Sequence, residues 1–122
     1  MPSNPKTLGE HLKRRRLQLH LMQADLAYRL GVHLESLKNW ERGVTNPIIR
    51  YIPRILEFLG YDPESEPTLT SQRLIHVRRR LGLTQKAFAK LISTDAVTLY
   101  RWENNLSVPP QKTLRRIEHL FH

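Results

Sequence analysis

The chain repeats itself. Sliding residues 12–60 by 62 positions gives twelve identities without a gap. They are Leu12/Leu74, Arg16/Arg78, Leu19/Leu81, Leu21/Leu83, Gln23/Gln85, Ala27/Ala89, Leu37/Leu99, Trp40/Trp102, Glu41/Glu103, Pro47/Pro109, Arg54/Arg116 and Ile55/Ile117. Leu26/Phe88, Leu30/Ile92, Val44/Leu106 and Ile52/Leu114 keep apolar character as well. A repeat of this length is one supersecondary unit built twice. The 122 residues are therefore two very small units and not one ordinary domain.

We place the units at residues 1–60 and 70–122, with a linker at 61–69. The segment from Gly60 to Thr68 contains Pro63, Pro67 and three acids and has no apolar period. Its prolines favour extended geometry, and about nine residues span at most ~30 Å. The units are expected to be near neighbours.

Each unit has to fold on its core alone, because the chain contains no cysteine. That absence also removes Cys-based zinc sites and thiol nucleophiles. No phosphate-loop or HExxH motif is present, so no enzyme, metal or cofactor is expected. No apolar run approaches the roughly 18 residues that a membrane span needs, and the N-terminus lacks a signal-peptide core. A cytoplasmic protein is expected.

Charge supplies the first functional clue. Twenty Lys and Arg against eleven Asp and Glu give +9 and a pI near 10.5. Both halves share the excess, with ten basic side chains against five acidic in residues 1–61 and ten against six in 62–122. A pI above about 9 is the footprint of a polyanion binder.

Apolar periodicity predicts helices and no strands. In the first unit they fall at about 7–19, 23–30, 34–41, 48–51 and 53–59. Gly31 and Gly43 stop the second and third. Pro53 is tolerable only in a first turn, so the last segment is split there. The second unit reads alike, at 70–81, 85–92, 96–103, 110–113 and 114–121.

Two short helices joined through a glycine-containing turn resemble a helix-turn-helix. The run from Gln23 through Leu26, Ala27, Leu30 and Gly31 to Val32, then Leu37, Trp40-Glu41-Arg42-Gly43 and Pro47, resembles the core of the phage repressor/Cro (XRE) family. Thr84-Gln85, Phe88, Ala89, Ile92, Leu99 and Trp102-Glu103-Asn104-Asn105 match it again. The resemblance implies an all-α fold of two tandem lambda-repressor-like helix-turn-helix domains, each with four to five short helices. It also implies a sequence-specific double-stranded DNA-binding protein, a nucleoid-associated transcriptional regulator. The rival expectations are an antitoxin or accessory protein that binds a protein partner, and a recombination or excision factor.

In that family the third helix enters the major groove. Its outward face in the first unit is His33, Leu34, Glu35, Lys38 and Asn39. In the second it is Asp95, Ala96, Val97, Tyr100 and Arg101. Asn39 suits adenine and Arg101 suits guanine. Glu35 suits cytosine, and Leu34, Ala96 and Val97 suit thymine methyls. The resemblance assigns DNA phosphate to Gln23, Gln85, Thr84 and Lys86 at the start of helix 2. It assigns phosphate also to Arg42, Asn46, Asn104, Asn105 and Ser107 after helix 3. Arg16 with Glu41 and Arg78 with Glu103 are implied to be structural ion pairs.

The units differ where they would read. Their outward faces share no residue, so one monomer is not expected to read a perfect palindrome. Met22 stands at a cap position where Thr84 can serve, leaving Asp25 to help only through the helix dipole. Ser93 replaces Gly31, and Asn105 replaces Gly43. A monomeric pseudo-dimer or a homodimer is expected, with no small-molecule effector evident.

Overall fold

The computed structural model describes residues 4–121. These are helical, with no strand among the described residues. The chain divides into two compact units, Met1–Glu64 and Ser65–His122.

The first unit contains α1 (Leu8–Gln18), α2 (Gln23–Leu30), α3 (Leu34–Arg42), a 3₁₀ turn (Ile49–Tyr51) and α4 (Ile52–Leu59). Thr7 caps α1, its hydroxyl accepting from the Glu10 N–H at 3.1 Å. Met22 cannot cap α2. Asp25 compensates directly instead, its Oδ2 accepting from the Met22 N–H at 3.0 Å. This is the reaching-back half of a capping box and does more than the dipole effect expected of Asp25. Leu12, Leu26, Leu37 and Ile55 are completely buried and bring all four helices onto one core. Trp40 closes that core from α3, with Tyr51 tilted against its ring.

Tyr61 packs on the first unit, although the linker was expected to begin there. Its hydroxyl lies 2.7 Å from His11 Nδ1 and accepts from Arg14 Nη2 at 3.1 Å. Burial, followed by the Arg14 charge, lowers the His11 pKa. The neutral imidazole is the form that can accept from Tyr61. A depressed histidine pKa stabilises the fold above the ordinary value, and that contribution is lost as the pH falls.

The second unit contains α5 (Thr70–Leu81), α6 (Gln85–Leu91), α7 (Ala96–Glu103) and α8 (Gln111–Phe121). Its core is formed around Leu74, Phe88, Ile92, Leu99, Trp102 and Ile117. Here the expected pair of helices at 110–113 and 114–121 is one continuous helix. The reason is a single residue. In the first unit Pro53 has no N–H to donate and crowds the turn before it, so the chain winds 3₁₀ before α4. The matching residue of the second unit is Arg115, and α8 runs through it.

Left-handed backbone recurs at matching positions, and the glycines alternate between units. His20, Gly31 and Gly43 have φ of 58°, 70° and 76°; their counterparts Gly82, Ser93 and Asn105 have 70°, 62° and 59°. The repeat marks all three pairs by a glycine in one unit, and Gly82 is the signal for His20. Ser93 is exposed, so replacing it removes no packing. Left-handed backbone costs a side chain about 1–2 kcal/mol, from which the unfolded-state entropy of glycine subtracts roughly half. Ser93→Gly is expected to raise the melting temperature of the second unit by about 4 °C. Asn105→Gly should gain less, because Asn tolerates this conformation. Calorimetry checks both, and a lower melting temperature for Ser93→Gly refutes the strain.

Candidate nucleic-acid interface

α2 and α3 meet through Leu26, Ala27, Leu30 and Leu37, with the left-handed Gly31 turning the chain between them. This packing fixes which side of α3 faces out. Leu37, Trp40 and Glu41 point inward. On the other side His33, Leu34 and Glu35 are exposed, and Lys38 and Asn39 are half-buried. In the second unit α7 turns Leu99, Trp102 and Glu103 inward. Asp95, Val97, Tyr100 and Arg101 are exposed, and Ala96 is half-buried.

The outward side chains are not equally available. Arg101 makes no side-chain hydrogen bond or ion pair with any described residue, so its whole guanidinium fork is open. Asn39 Oδ1 accepts from Arg42 Nη2 at 2.6 Å. To pair with adenine, Asn39 has to share its Oδ1 between Arg42 and the adenine amino group or release Arg42. Asp95 is the N-cap of α7. Its carboxylate accepts from the Thr98 N–H and the Thr98 hydroxyl, each at 2.8 Å. The backbone bond from Thr98 is the largest cause of its lowered pKa. Asp95 therefore starts the recognition helix, and each of its oxygens already accepts one bond.

A buried network holds the inner side of each reading helix. Arg16 Nε and Nη2 donate to Glu41 at 2.8 and 2.9 Å, and Arg16 Nη1 donates to the Leu21 carbonyl at 2.9 Å. The second unit repeats the arrangement with Arg78, Glu103 and the Leu83 carbonyl, though its Nη2 bond is longer at 3.3 Å. The bonds of Arg16 tie α1 both to the end of α3 and to the segment that leads into α2.

Gln23 and Gln85 belong to the same networks. Their amide nitrogens donate to Glu41 and Glu103 at 3.0 and 2.8 Å. The resemblance implied phosphate contact for both. One amide hydrogen and the carbonyl of each remain for other partners. Sequence reasoning named these glutamines without connecting them to the ion pairs; the signal was their recurrence alongside Glu41 and Glu103.

At the start of α6 the Thr84 hydroxyl accepts from the Ala87 N–H at 3.2 Å, and Lys86 beside it is exposed. After the reading helices Arg42, Asn46, Asn104, Asn105 and Ser107 are all exposed. Asn104 Nδ2 donates to the Tyr100 carbonyl at 2.8 Å, so its amide already closes α7. Sequence reasoning gave no role to two supporting residues, although Arg54 recurs as Arg116. Thr98 holds the Asp95 cap, and Arg54 Nη1 donates to the Leu30 carbonyl at the end of α2 at 3.2 Å.

Residues 12–65 and residues 74–122 each match the family model described as Helix-turn-helix. No curated protein and no solved structure matches the chain. Among the described residues, no helix is long and apolar enough to cross a membrane. The matched family binds double-stranded DNA and is not normally enzymatic. With a complete helix-turn-helix core in each unit, the chain belongs to the helix-turn-helix family of the phage repressor/Cro (XRE) type, as two tandem copies.

Proposed function

We propose that the protein is a transcriptional regulator that reads two different DNA half-sites, one with α3 and one with α7. The observation that carries this reading is the contrast between the two sides of each helix. The inward residues repeat, as Leu37/Leu99, Trp40/Trp102 and Glu41/Glu103. None of the outward residues does. The first unit offers Leu34, Glu35, Lys38 and Asn39, and the second offers Ala96, Val97, Tyr100 and Arg101. Base edges distinguish such sets by donor, acceptor and methyl pattern. Gln23, Gln85, Thr84, Lys86, Arg42, Asn46, Asn104, Asn105 and Ser107 fit phosphate contacts, which set register without reading sequence.

Selection from random duplexes followed by sequencing tests the proposal. The expected outcome is a non-palindromic site of two unlike halves, with centres about 34 Å apart if both are read on one face. Arg101→Ala should relax one guanine position at a loss of roughly 1–3 kcal/mol, leaving the other half unchanged. Arg101 is the better probe because no internal bond holds it. A palindromic site, or a selected profile that Arg101→Ala does not alter, sinks the assignment.

A further inference from the structure

We infer that the first unit carries a binding groove for a small amphipathic anion, a phosphate or carboxylate on an apolar body. It is an open groove of about 660 Å³ between α1, the end of α2 and α4. Arg15 lines it from α1 and Leu19 from just after it, Arg29 and Leu30 from α2, and Arg54 and Phe58 from α4. The volume is that of an ordinary small-ligand pocket, roughly 300–1,000 Å³. No residue of α3, of the segment after it, or of the start of α2 takes part. The groove is therefore separate from the residues proposed to meet DNA.

Three arginines line the groove, and none of them forms an ion pair with a described residue. Glu57 also lines the groove, yet it forms no ion pair with any of the three. Elsewhere in the unit an inward arginine is paired in full, as Arg16 is with Glu41. Arg15 Nε is buried with no acceptor among the described residues. Because Arg15 Nε is closed to solvent, an anion in the groove would meet Arg15 through its other guanidinium nitrogens. The other two guanidiniums are held in position. Arg54 donates to the Leu30 carbonyl, and the Arg29 guanidinium carbon lies 5.2 Å from the Phe58 ring centroid. Fixed guanidinium forks beside an apolar wall suit an oxyanion with a hydrophobic tail.

The second unit is an internal control. At the positions of Arg15 and Arg29 it has Val77 and Leu91, and only Arg116 remains, opposite Arg54. The same fold thus forms without arginines at the positions of Arg15 and Arg29. Arg15 and Arg29 are a property of the first unit alone.

Phenyl phosphate, titrated into the full chain and followed by amide NMR shifts, tests the groove. Expected is saturable one-site binding that moves Leu19, Leu30 and Phe58, with inorganic phosphate about tenfold weaker for lack of an apolar body. The double variant Arg15→Val with Arg29→Leu takes the second unit's residues and should keep its melting temperature. It should weaken phenyl phosphate at least about tenfold and leave duplex affinity within about twofold. Absence of saturable binding overturns the inference, as do shifts centred on α3 or affinity unchanged in the variant. Equal binding of inorganic phosphate removes the amphipathic class. A parallel loss of duplex affinity in the double variant assigns the arginines to the DNA footprint instead.

Discussion

Replacing Glu41 with Ala is expected to unfold the first unit at temperatures where the unmodified chain is folded. Glu41 is buried and takes three charged or polar hydrogen bonds, two from Arg16 and one from Gln23. Removing it leaves a guanidinium inside the protein with only the Leu21 carbonyl as partner. Breaking a buried pair in this way costs about 3–5 kcal/mol. A unit of this size has a total stability of about 3–9 kcal/mol, so the loss is of the same order as the whole. Helix content and the core resonances of Leu12, Leu37 and Ile55 report it.

Two comparisons separate this from a generic loss of contacts. Arg16→Met combined with Glu41→Leu removes both charges, and the double variant should be more stable than Glu41→Ala alone. Glu103→Ala makes the same change in the second unit but should cost less. The Arg78 side chain is 16% exposed against 9% for Arg16, and its second bond is longer. Water can therefore reach and partly solvate a stranded Arg78. If Glu41→Ala costs under about 1 kcal/mol, or the double variant is no better than the single one, the pair is not an anchor.

How much of this was legible in the sequence depends on the range of the interaction. Helix existence was, because buried positions such as Leu26, Ala27 and Leu30 recur with the period of a helix. Where an element depended on one local residue, the repeat misled. Analogy with the first unit carries the effect of Pro53 over to a place where Arg115 stands. The outward faces of α3 and α7 were legible as positions, since burial of the opposite stripe leaves only one side free. Their side-chain states were not. That Asp95 caps α7, and that Asn39 leans on Arg42, are matters of rotamer and partner. Tyr61 illustrates the long-range limit: its contacts with His11 and Arg14 join residues 50 and 47 positions apart.

Gly9 illustrates the same limit with a larger consequence. Read from sequence, it is a helix residue that Ala should improve by about 1 kcal/mol. In the fold it is buried where α1 crosses the end of α3. A Cβ built on it would overlap the Trp40 carbonyl and lie 3.1 Å from the Glu41 nitrogen. These are backbone atoms, so no side-chain rotation relieves the clash; α1 itself has to move. Overpacking costs about 1–3 kcal/mol even where side chains can yield, so a backbone collision sits at or above the top of that range. Gly9→Ala is expected to lose about 2 kcal/mol or more after the helix-propensity gain, lowering the first unit's melting temperature by roughly 10 °C. The second unit has Ser71 at this position. Its α5 already accommodates a Cβ, and Ser71→Ala should be nearly neutral. The displaced α1 would also carry Arg16 away from Glu41, and with it the hold on the inner side of α3. Duplex affinity should therefore fall in Gly9→Ala even at temperatures where the unit remains folded. A Gly9→Ala protein that melts higher than the unmodified chain would show that the two helices separate without cost, and that their close approach does not fix the reading helix.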